Sequence, residues 1–479
     1  MTRLGRAFVW GLFAVLGLGL TLRFAIAARE WFISDDFFFL AQVQDASWRF
    51  REALLPTRPR MIAAYRPIGL DAYFMLNFGL FGWNAAGYYF TALVLQALTG
   101  LLVARMARGY GIDRRVTWVV AASMVLAAPS TLESYAVAEH NYICAALCYS
   151  ACLALLLAEL ARPRPWLRLA SYAALVLGLL SNEVCATFPV VALLAAYRHV
   201  PGNARRSLLN ALRLTWPYAA IAALYVDFKL WGVPLRQKNW FYEVDVGTDM
   251  LGNFFGNLAH VHGGYIALTV VFGLAVLLAV ARFRGALAPL SADQAKGALV
   301  GAAWLLATSL PFTVLALPAS RFALLQLPAA ALIWAVLLDV ARRWLPPARQ
   351  AIALIAALTL LTPWVGMVNA LRTPRGAVFR DAYHVVARAL PPSSSTCVRV
   401  FCAGPQLASE EQCAAFRTGT FGGALWRAVV SNRPLAVEFT DAVSPDDALR
   451  EFDCQRYYLT PELTLTTEPP QTLHVSAWR

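Results

Sequence analysis

The stretch AFVWGLFAVLGLGLTLRFAIAAREWFISDDFFF, residues 7–39, decides the fold. Its first part, 7–28, is apolar over a length sufficient to cross a bilayer core as a helix, for which about 20 residues are needed. The run is followed at once by Trp31 and Phe32 and then by an acidic pair, Ser34-Asp35-Asp36-Phe37. Aromatic rings settle at the membrane–water boundary. Ionisable groups at a membrane edge are costly, and by default they point to function.

The same alternation of apolar run and polar break continues along the chain. Further runs occupy 84–107, 115–133, 141–160, 166–180, 184–197, 214–233, 265–281, 298–317, 322–340 and 351–370. With the first, they predict a polytopic α-helical membrane protein of about eleven transmembrane helices. The segment 67–81 is also apolar, but it carries Asp71 and Asn77 and reads as an interfacial helix in the first exported loop. Composition agrees: 59% of the 479 residues are hydrophobic and 14% charged, with a mean hydropathy of +0.55. Soluble domains are roughly half apolar and about a quarter charged, so a soluble enzyme and a disordered chain are both excluded.

The net charge of +13 would in another protein suggest nucleic acid. Here the basic residues sit at the ends of apolar runs, as in Arg105, Arg108, Arg114 and Arg115, or Arg342, Arg343 and Arg349. No basic groove interleaved with aromatics is present, so no nucleic-acid partner is expected. By the positive-inside rule these loops, together with those at 162–168, 198–213 and 282–296, face the cytoplasm. Asp35, Asp36, Glu133, Glu139, Glu183, Glu243, Asp245 and Asp249 then share the exported side. Ala25-Ile26-Ala27 resembles a signal-peptidase site, but Arg23 interrupts the run before it and a retained anchor is expected.

From residue 371 prolines, serines and charges appear. The reading is a transmembrane domain, 1–370, and a small exported α/β domain, 371–479. In the second, 397–402, 435–440 and 456–459 are expected as strands, and 378–390 and 411–429 as helices. Cys397, Cys402, Cys413 and Cys454 lie in this domain, where an oxidising compartment permits one or two disulfides of undetermined connectivity. Cys144, Cys148 and Cys152 recur at one-turn spacing on one membrane helix, as small packing residues do.

Chemistry-bearing residues gather on the exported side. Hemmed in by aromatics, one carboxylate of the Asp35-Asp36 pair is suited to act as a general base; the plainer alternative is that Asp35 caps a helix beginning at Asp36. Arg66 in Tyr65-Arg66-Pro67 and Arg321 are cations on the acidic side, against the general trend. A guanidinium fork suits phosphate, although pairing with Asp35 or Glu183 is the structural alternative. Glu139, His140, Asn182 and Glu183 flank the same face, and the loop 236–264 adds Trp240 and Tyr242. Asp227 and Lys229 are close enough in sequence to pair with each other. His260 and His262 lack a third ligand, so no metal site is expected. No glycine-rich nucleotide loop, zincin motif or serine elbow is present, so energy must enter as an activated lipid or a gradient.

In this order the motifs resemble the GT-C glycosyltransferases, a superfamily that includes protein O-mannosyltransferases and the aminoarabinose transferases of lipid A. The likeness rests on the acidic pair after the first span, on Tyr65-Arg66-Pro67, and on Phe81-Gly82-Trp83-Asn84 before the second. Leu180-Ser181-Asn182-Glu183 stands where many members carry Ser-Lys-Glu, and Pro318-Ala319-Ser320-Arg321-Phe322 resembles a late Arg-Tyr element.

The resemblance implies a polyprenyl-phosphate-sugar donor and an exported lipid, polysaccharide or protein acceptor, at a bacterial inner membrane with the site on the periplasmic side. Asp35 would be the base, and Asp36 would orient the acceptor or tune the pKa of Asp35. Arg66, Arg321 and Asn182 would hold the donor phosphate. Tyr65, Glu139, His140, Glu183, Trp240 and Tyr242 would line the sugar or acceptor pocket, with a divalent cation as an optional addition. Asn182 departs from the pattern, since it donates a hydrogen bond where a lysine would supply charge; Lys238 is one candidate substitute. A flippase or transporter, and a catalytically inactive scaffold, are the competing classes. A transporter would favour inverted halves with helices broken at mid-membrane, a symmetry the sequence does not display.

Overall fold

Helices account for most of the architecture, and a small sheet for the rest. The computed structural model describes residues 3–32, 36–44, 50–55, 65–126, 137–199, 203–232, 250, 252–253, 290–313, 322–343, 345–361, 367–368, 397–401, 436–440, 454–459 and 465–466. The helices are α1 Arg3–Arg29, α2 Asp36–Gln44, α3 Phe50–Ala53, α4 Tyr73–Phe81, α5 Ala85–Gly109, α6 Arg114–Leu126, α7 His140–Ala161, α8 Pro165–Leu179, α9 Phe188–His199, α10 Ala204–Asp227, α11 Ala292–Thr313, α12 Ala323–Arg343 and α13 Pro347–Leu361.

Among the described residues five helices are long and apolar enough to cross a membrane: Arg6–Arg29, Ala85–Gly109, Val137–Ala161, Ala292–Thr313 and Ala323–Arg343. Wherever the expected spans are described they are helical; 265–281 lies outside the described residues, as do the ends of 115–133, 214–233, 298–317 and 351–370. The helix expected from residue 214 starts ten residues sooner, at Ala204, and is capped by Asn203, whose side chain accepts from the Arg206 amide. Arginines on its first turns are compatible with a helix that projects beyond the apolar layer.

The bundle closes around α12, the most buried of the long helices, while α1 lies at the edge. Small residues make the centre possible: Ala329, Ala330, Ala331 and Ala335 are buried on α12, and a Cβ on Gly301 of α11 would meet Ile333 Cγ1 at 2.9 Å. Close backbone approach of this kind is how helices associate where lipid competes for apolar surface. Aromatic stacking fills the remainder. Tyr149 of α7 lies on Trp304 at a centroid distance of 5.1 Å, and Phe312 on Phe322 at 3.9 Å. At one end of the bundle the Asp339 carboxylate ties three helices together, accepting from Arg342 (2.8 Å), Arg343 (2.6 Å), Gln294 (2.6 Å) and the Asp113 amide (3.1 Å).

The segment read as interfacial is helical throughout, as a π-helical turn Pro67–Ala72 continuing into α4. Pro67 opens it, its missing N–H falling where no intrahelical partner exists. Leu76 and Leu80 point outward, whereas Tyr73, Phe74 and Asn77 are buried. The turn rests directly on the junction between α8 and α9. Ile68 N donates to Leu180 O at 3.1 Å, and a Cβ on Gly69 would sit 2.8 Å from Ser181 O and 2.9 Å from Asn141 Cβ. Gly69→Val is therefore expected to lower stability by about 1–3 kcal/mol, as overpacking does, read as a lower Tm of the full chain in lipid; an unchanged Tm would mean that the turn and the junction are not in contact.

Beyond the helices, β1 Cys397–Phe401, β2 Ala436–Thr440, β3 Cys454–Leu459 and β4 Leu465–Thr466 form a sheet in the order β2-β1-β3-β4. The three expected strands are present, and a short fourth pairs antiparallel with β3. β1 is parallel to both neighbours, which requires long crossovers. The helices expected at 378–390 and 411–429 lie outside the described residues. In the β1–β3 register Cys397 stands opposite Cys454.

Candidate active site

The site lies at the end of the bundle where α1, α8 and α10 finish and α5, α7 and α9 begin. Arg66, just before the Pro67 turn, reaches across this end with its guanidinium buried. Nε and Nη2 donate to the two oxygens of Glu183 at 3.0 and 2.6 Å, a bidentate fork. Nη1 reaches Asn141 Oδ1 at 3.4 Å, and Cζ lies 5.6 Å from the Tyr142 ring centroid. Lys229, from the π-helical turn Phe228–Gly232 that continues α10, approaches the same carboxylate at 3.8 Å. The expected pairing of Lys229 with Asp227 is thus replaced by one with Glu183: residues two apart on a helix point to different sides, and Lys229 faces inward.

Asn182 is fully buried and shapes the backbone here. Its Oδ1 accepts from Val184 N at 3.1 Å and caps the 3₁₀ turn Glu183–Thr187, while its Nδ2 donates to Asn141 Oδ1 at 2.9 Å. Asn141 Oδ1 therefore receives both Asn182 and Arg66. The two cations bracket one carboxylate whose side chain is 46% exposed. Desolvation by the surrounding helices raises the Glu183 pKa, but the charges of Arg66 and then Lys229, with the Arg66 hydrogen bonds, outweigh it and hold the carboxyl well below the usual range.

Asp36 opens α2, where the sequence predicted a helix to start, and is fully buried. Its oxygens accept from the backbone amides of Val137 (3.0 Å) and Ala138 (2.7 Å). It thus anchors the turn that delivers Glu139, His140 and Asn141. His140 Nδ1 meets Tyr73 Oη at 2.8 Å, and that hydroxyl also contacts Tyr88 O at 2.6 Å. Tyr65 donates to Leu54 O at 2.9 Å and packs edge-on to Phe228. The structure therefore brings Asp36, Tyr65, Arg66, Glu139, His140, Asn182 and Glu183 to one end. Asp35, Arg321, Trp240 and Tyr242 lie outside the described residues, as do Glu133 and Lys238.

Sequence reasoning missed Asn141 and Lys229. Asn141 was absorbed into an apolar run, although an amide at the first turn of a span is itself a signal. Lys229 is a cation on the acidic side, the same departure from the charge trend that singled out Arg66. No group of three metal-ligating side chains occurs among the described residues.

No protein-family model and no curated protein matches the chain. Solved structures do. ArnT from Cupriavidus metallidurans in the apo state superposes with a TM-score of 0.52 at 17% identity, over 88% of each chain. The same protein bound to undecaprenyl phosphate gives 0.47 at 15% identity over 89% of each. The Archaeoglobus fulgidus oligosaccharyltransferase, tethered to an acceptor peptide containing the NVT sequon, gives 0.51 at 12% identity over 89% of this chain and 64% of that one. The present chain thus spans under two thirds of the archaeal enzyme. The architecture is that of a polytopic α-helical membrane protein, and it shares its fold with ArnT and the archaeal oligosaccharyltransferase.

Proposed function

We propose that this protein is a membrane glycosyltransferase that moves a sugar from a polyprenyl-phosphate donor to an exported acceptor, in a bacterial plasma membrane with the site on the outer side. The observation that carries this reading is the convergence of Arg66 and Lys229 on the Glu183 carboxylate. They place a guanidinium fork and an ammonium side by side at the end of an apolar helix bundle, donor types that suit the phosphate of a lipid carrier. Lys229 supplies the charge that Asn182 cannot. Arg321 is a further phosphate ligand in this reading. Fold similarity alone does not assign chemistry; the charge arrangement and the acidic pair supply the rest.

In the reaction Asp35 takes the proton of the acceptor hydroxyl as its oxygen attacks the anomeric carbon. The bond from that carbon to the phosphate oxygen breaks, and the phosphate leaves with the electron pair and inverts the centre. Arg66 and Lys229 stabilise the charge that develops on the leaving phosphate, the interaction that accelerates the step most directly. Asp36 holds the turn that presents Glu139 and His140, which with Tyr65, Trp240 and Tyr242 line the sugar or acceptor pocket. Residues 1–370 form the catalytic membrane domain and 371–479 the exported one.

The test supplies purified protein in lipid with radiolabelled polyprenyl-phosphate sugars and an extract of host lipids and glycans. Label is expected to pass from donor to a new product. Lys229→Gln is expected to weaken polyprenyl-phosphate binding about tenfold, and Lys229→Arg to restore most of it. If no donor in the panel is bound or consumed, the reading fails, and flux in proteoliposomes tests transport.

A further inference from the structure

Four cysteines follow residue 371: Cys397, Cys402, Cys413 and Cys454. Four cysteines can be joined as two bridges in three ways, and the sheet distinguishes them. Cys397 is the first residue of β1 and Cys454 the first of β3, and the parallel register sets them directly opposite each other. Hydrogen-bonded strands lie about 4.8 Å apart, inside the window of about 4.4–6.8 Å between Cα atoms that a disulfide accepts. Register partners also share one face of the sheet, because side chains alternate with the same period along both strands. Each cysteine opens its strand, so no earlier ladder bond resists the small adjustment toward disulfide geometry.

Covalent reach excludes the competing partners. From Cys397 to Phe401, β1 is extended and covers about 13 Å at about 3.3 Å per residue. Cys402 follows Phe401 in the chain, and consecutive Cα atoms are about 3.8 Å apart. The Cα of Cys402 is therefore about 9 Å or more from that of Cys397. Phe401 stands opposite Tyr458, four residues along β3 from Cys454, so Cys402 is at least as far from Cys454. Cysteines whose Cα atoms are more than about 7 Å apart cannot be bridged. Cys402 thus pairs with neither, which removes two of the three connectivities. Cys397 is left with Cys454, and a second bridge can then join only Cys402 to Cys413.

We propose that Cys397 and Cys454 form a disulfide that staples the two central strands of the β2-β1-β3-β4 sheet. Each thiol releases its proton, an S–S bond forms, and the two electrons reduce a disulfide-bearing oxidant of the compartment to two thiols. The cysteines are 57 positions apart, so the bridge closes a long loop and restrains chiefly the unfolded chain. Small exported domains rely on such restraints where their cores are limited. The proposal rests on the reading that residues 371–479 are exported, since a reducing compartment keeps both thiols free.

The test traps free thiols in intact cells with a membrane-permeant maleimide, then purifies the full chain and digests it with trypsin without reductant. Cleavage at arginine puts Cys397 in 389–399, Cys454 in 451–456, and Cys402 with Cys413 in 400–417. The expected product is 389–399 joined to 451–456, separated by reduction. Cys397→Ser and Cys454→Ser each leave the other cysteine open to the maleimide. Each is also expected to lower by about 10 °C the temperature at which residues 371–479 become protease-sensitive in the full chain. The double variant falls no further than either single one, and reductant abolishes the difference from wild type. Cysteines that merely pack would give additive losses insensitive to reductant.

Either cysteine joined to Cys402 or Cys413 overturns the proposal, and so do both trapped as free thiols. In that last case oxidised glutathione added to the purified chain shows which premise failed. Selective joining of Cys397 to Cys454 places the fault in the exported reading. Any other pairing, or none, places it in the juxtaposition of the two strand starts.

Discussion

Arg66→Ala is expected to lower transfer at least a hundredfold, about 2.7 kcal/mol of transition-state stabilisation, the scale seen when a single charge-stabilising donor is removed from an active site. The variant loses a bidentate fork that Lys229, one point charge 3.8 Å from Glu183, cannot reproduce. It also leaves Glu183 with a single cation. Breaking a fully buried pair costs about 3–5 kcal/mol. Here Glu183 is 46% exposed and Lys229 remains, so about 1–2 kcal/mol is expected, read as a modest fall in Tm. Arg66→Lys should recover stability more fully than rate, because it restores charge and not the planar fork.

The pH dependence separates these contributions. The folded pKa of Glu183 is depressed, so its ion pairs are complete above the unfolded carboxylate range and are lost only as pH falls through the lower folded value. An acid limb in the rate profile at higher pH therefore belongs to another group, with Asp35 the candidate. A rate for Arg66→Ala within threefold of wild type would remove Arg66 from the phosphate site.

What the sequence made legible follows from what it encodes locally. Apolar runs such as 141–160 and 322–340 announce their helices because length in lipid is a one-dimensional property. The cations Arg66 and Arg321 stand out against the charge trend without any structure, and Lys229 carries the same signal although the reading passed over it. The pairing of Lys229 is a different matter. Asp227 is its neighbour in sequence, and only the inward turn after α10 selects Glu183, 46 positions away. Asp71 and Asn77 are the residues from which 67–81 was read as interfacial, yet both are buried against protein. Asp71 accepts from Gln42 at 2.7 Å, and Asn77 donates to Tyr73 O at 2.8 Å. Polar residues facing a protein neighbour and those facing water look alike in sequence.

The acidic pair yields the second large effect, because its two members should fail in different ways. Asp36 accepts two backbone amides in a fully buried setting. Asparagine offers one oxygen and one NH2, so whichever way the amide is turned, an N–H faces either Val137 N or Ala138 N. Asp36→Asn thus leaves one buried donor opposed and one charge-assisted bond weakened, a loss of about 2–4 kcal/mol on the usual scale for hydrogen bonds to charged groups and unsatisfied donors. The turn carrying Glu139, His140 and Asn141 would shift with it. The expected result is a fall in Tm together with a loss of rate of about a hundredfold or more, since small displacements of positioning groups have effects of that order. Asp35→Asn, by contrast, removes the proposed base and should abolish at least three decades of rate while Tm and polyprenyl-phosphate binding stay near wild type. Measuring rate, Tm and lipid binding for both variants separates anchor from base. Equal loss of Tm in the two would show that Asp35 is structural as well. A stable, slow Asp36→Asn beside an active Asp35→Asn would exchange their roles, with the base on Asp36 and its two amide bonds serving to tune that carboxylate.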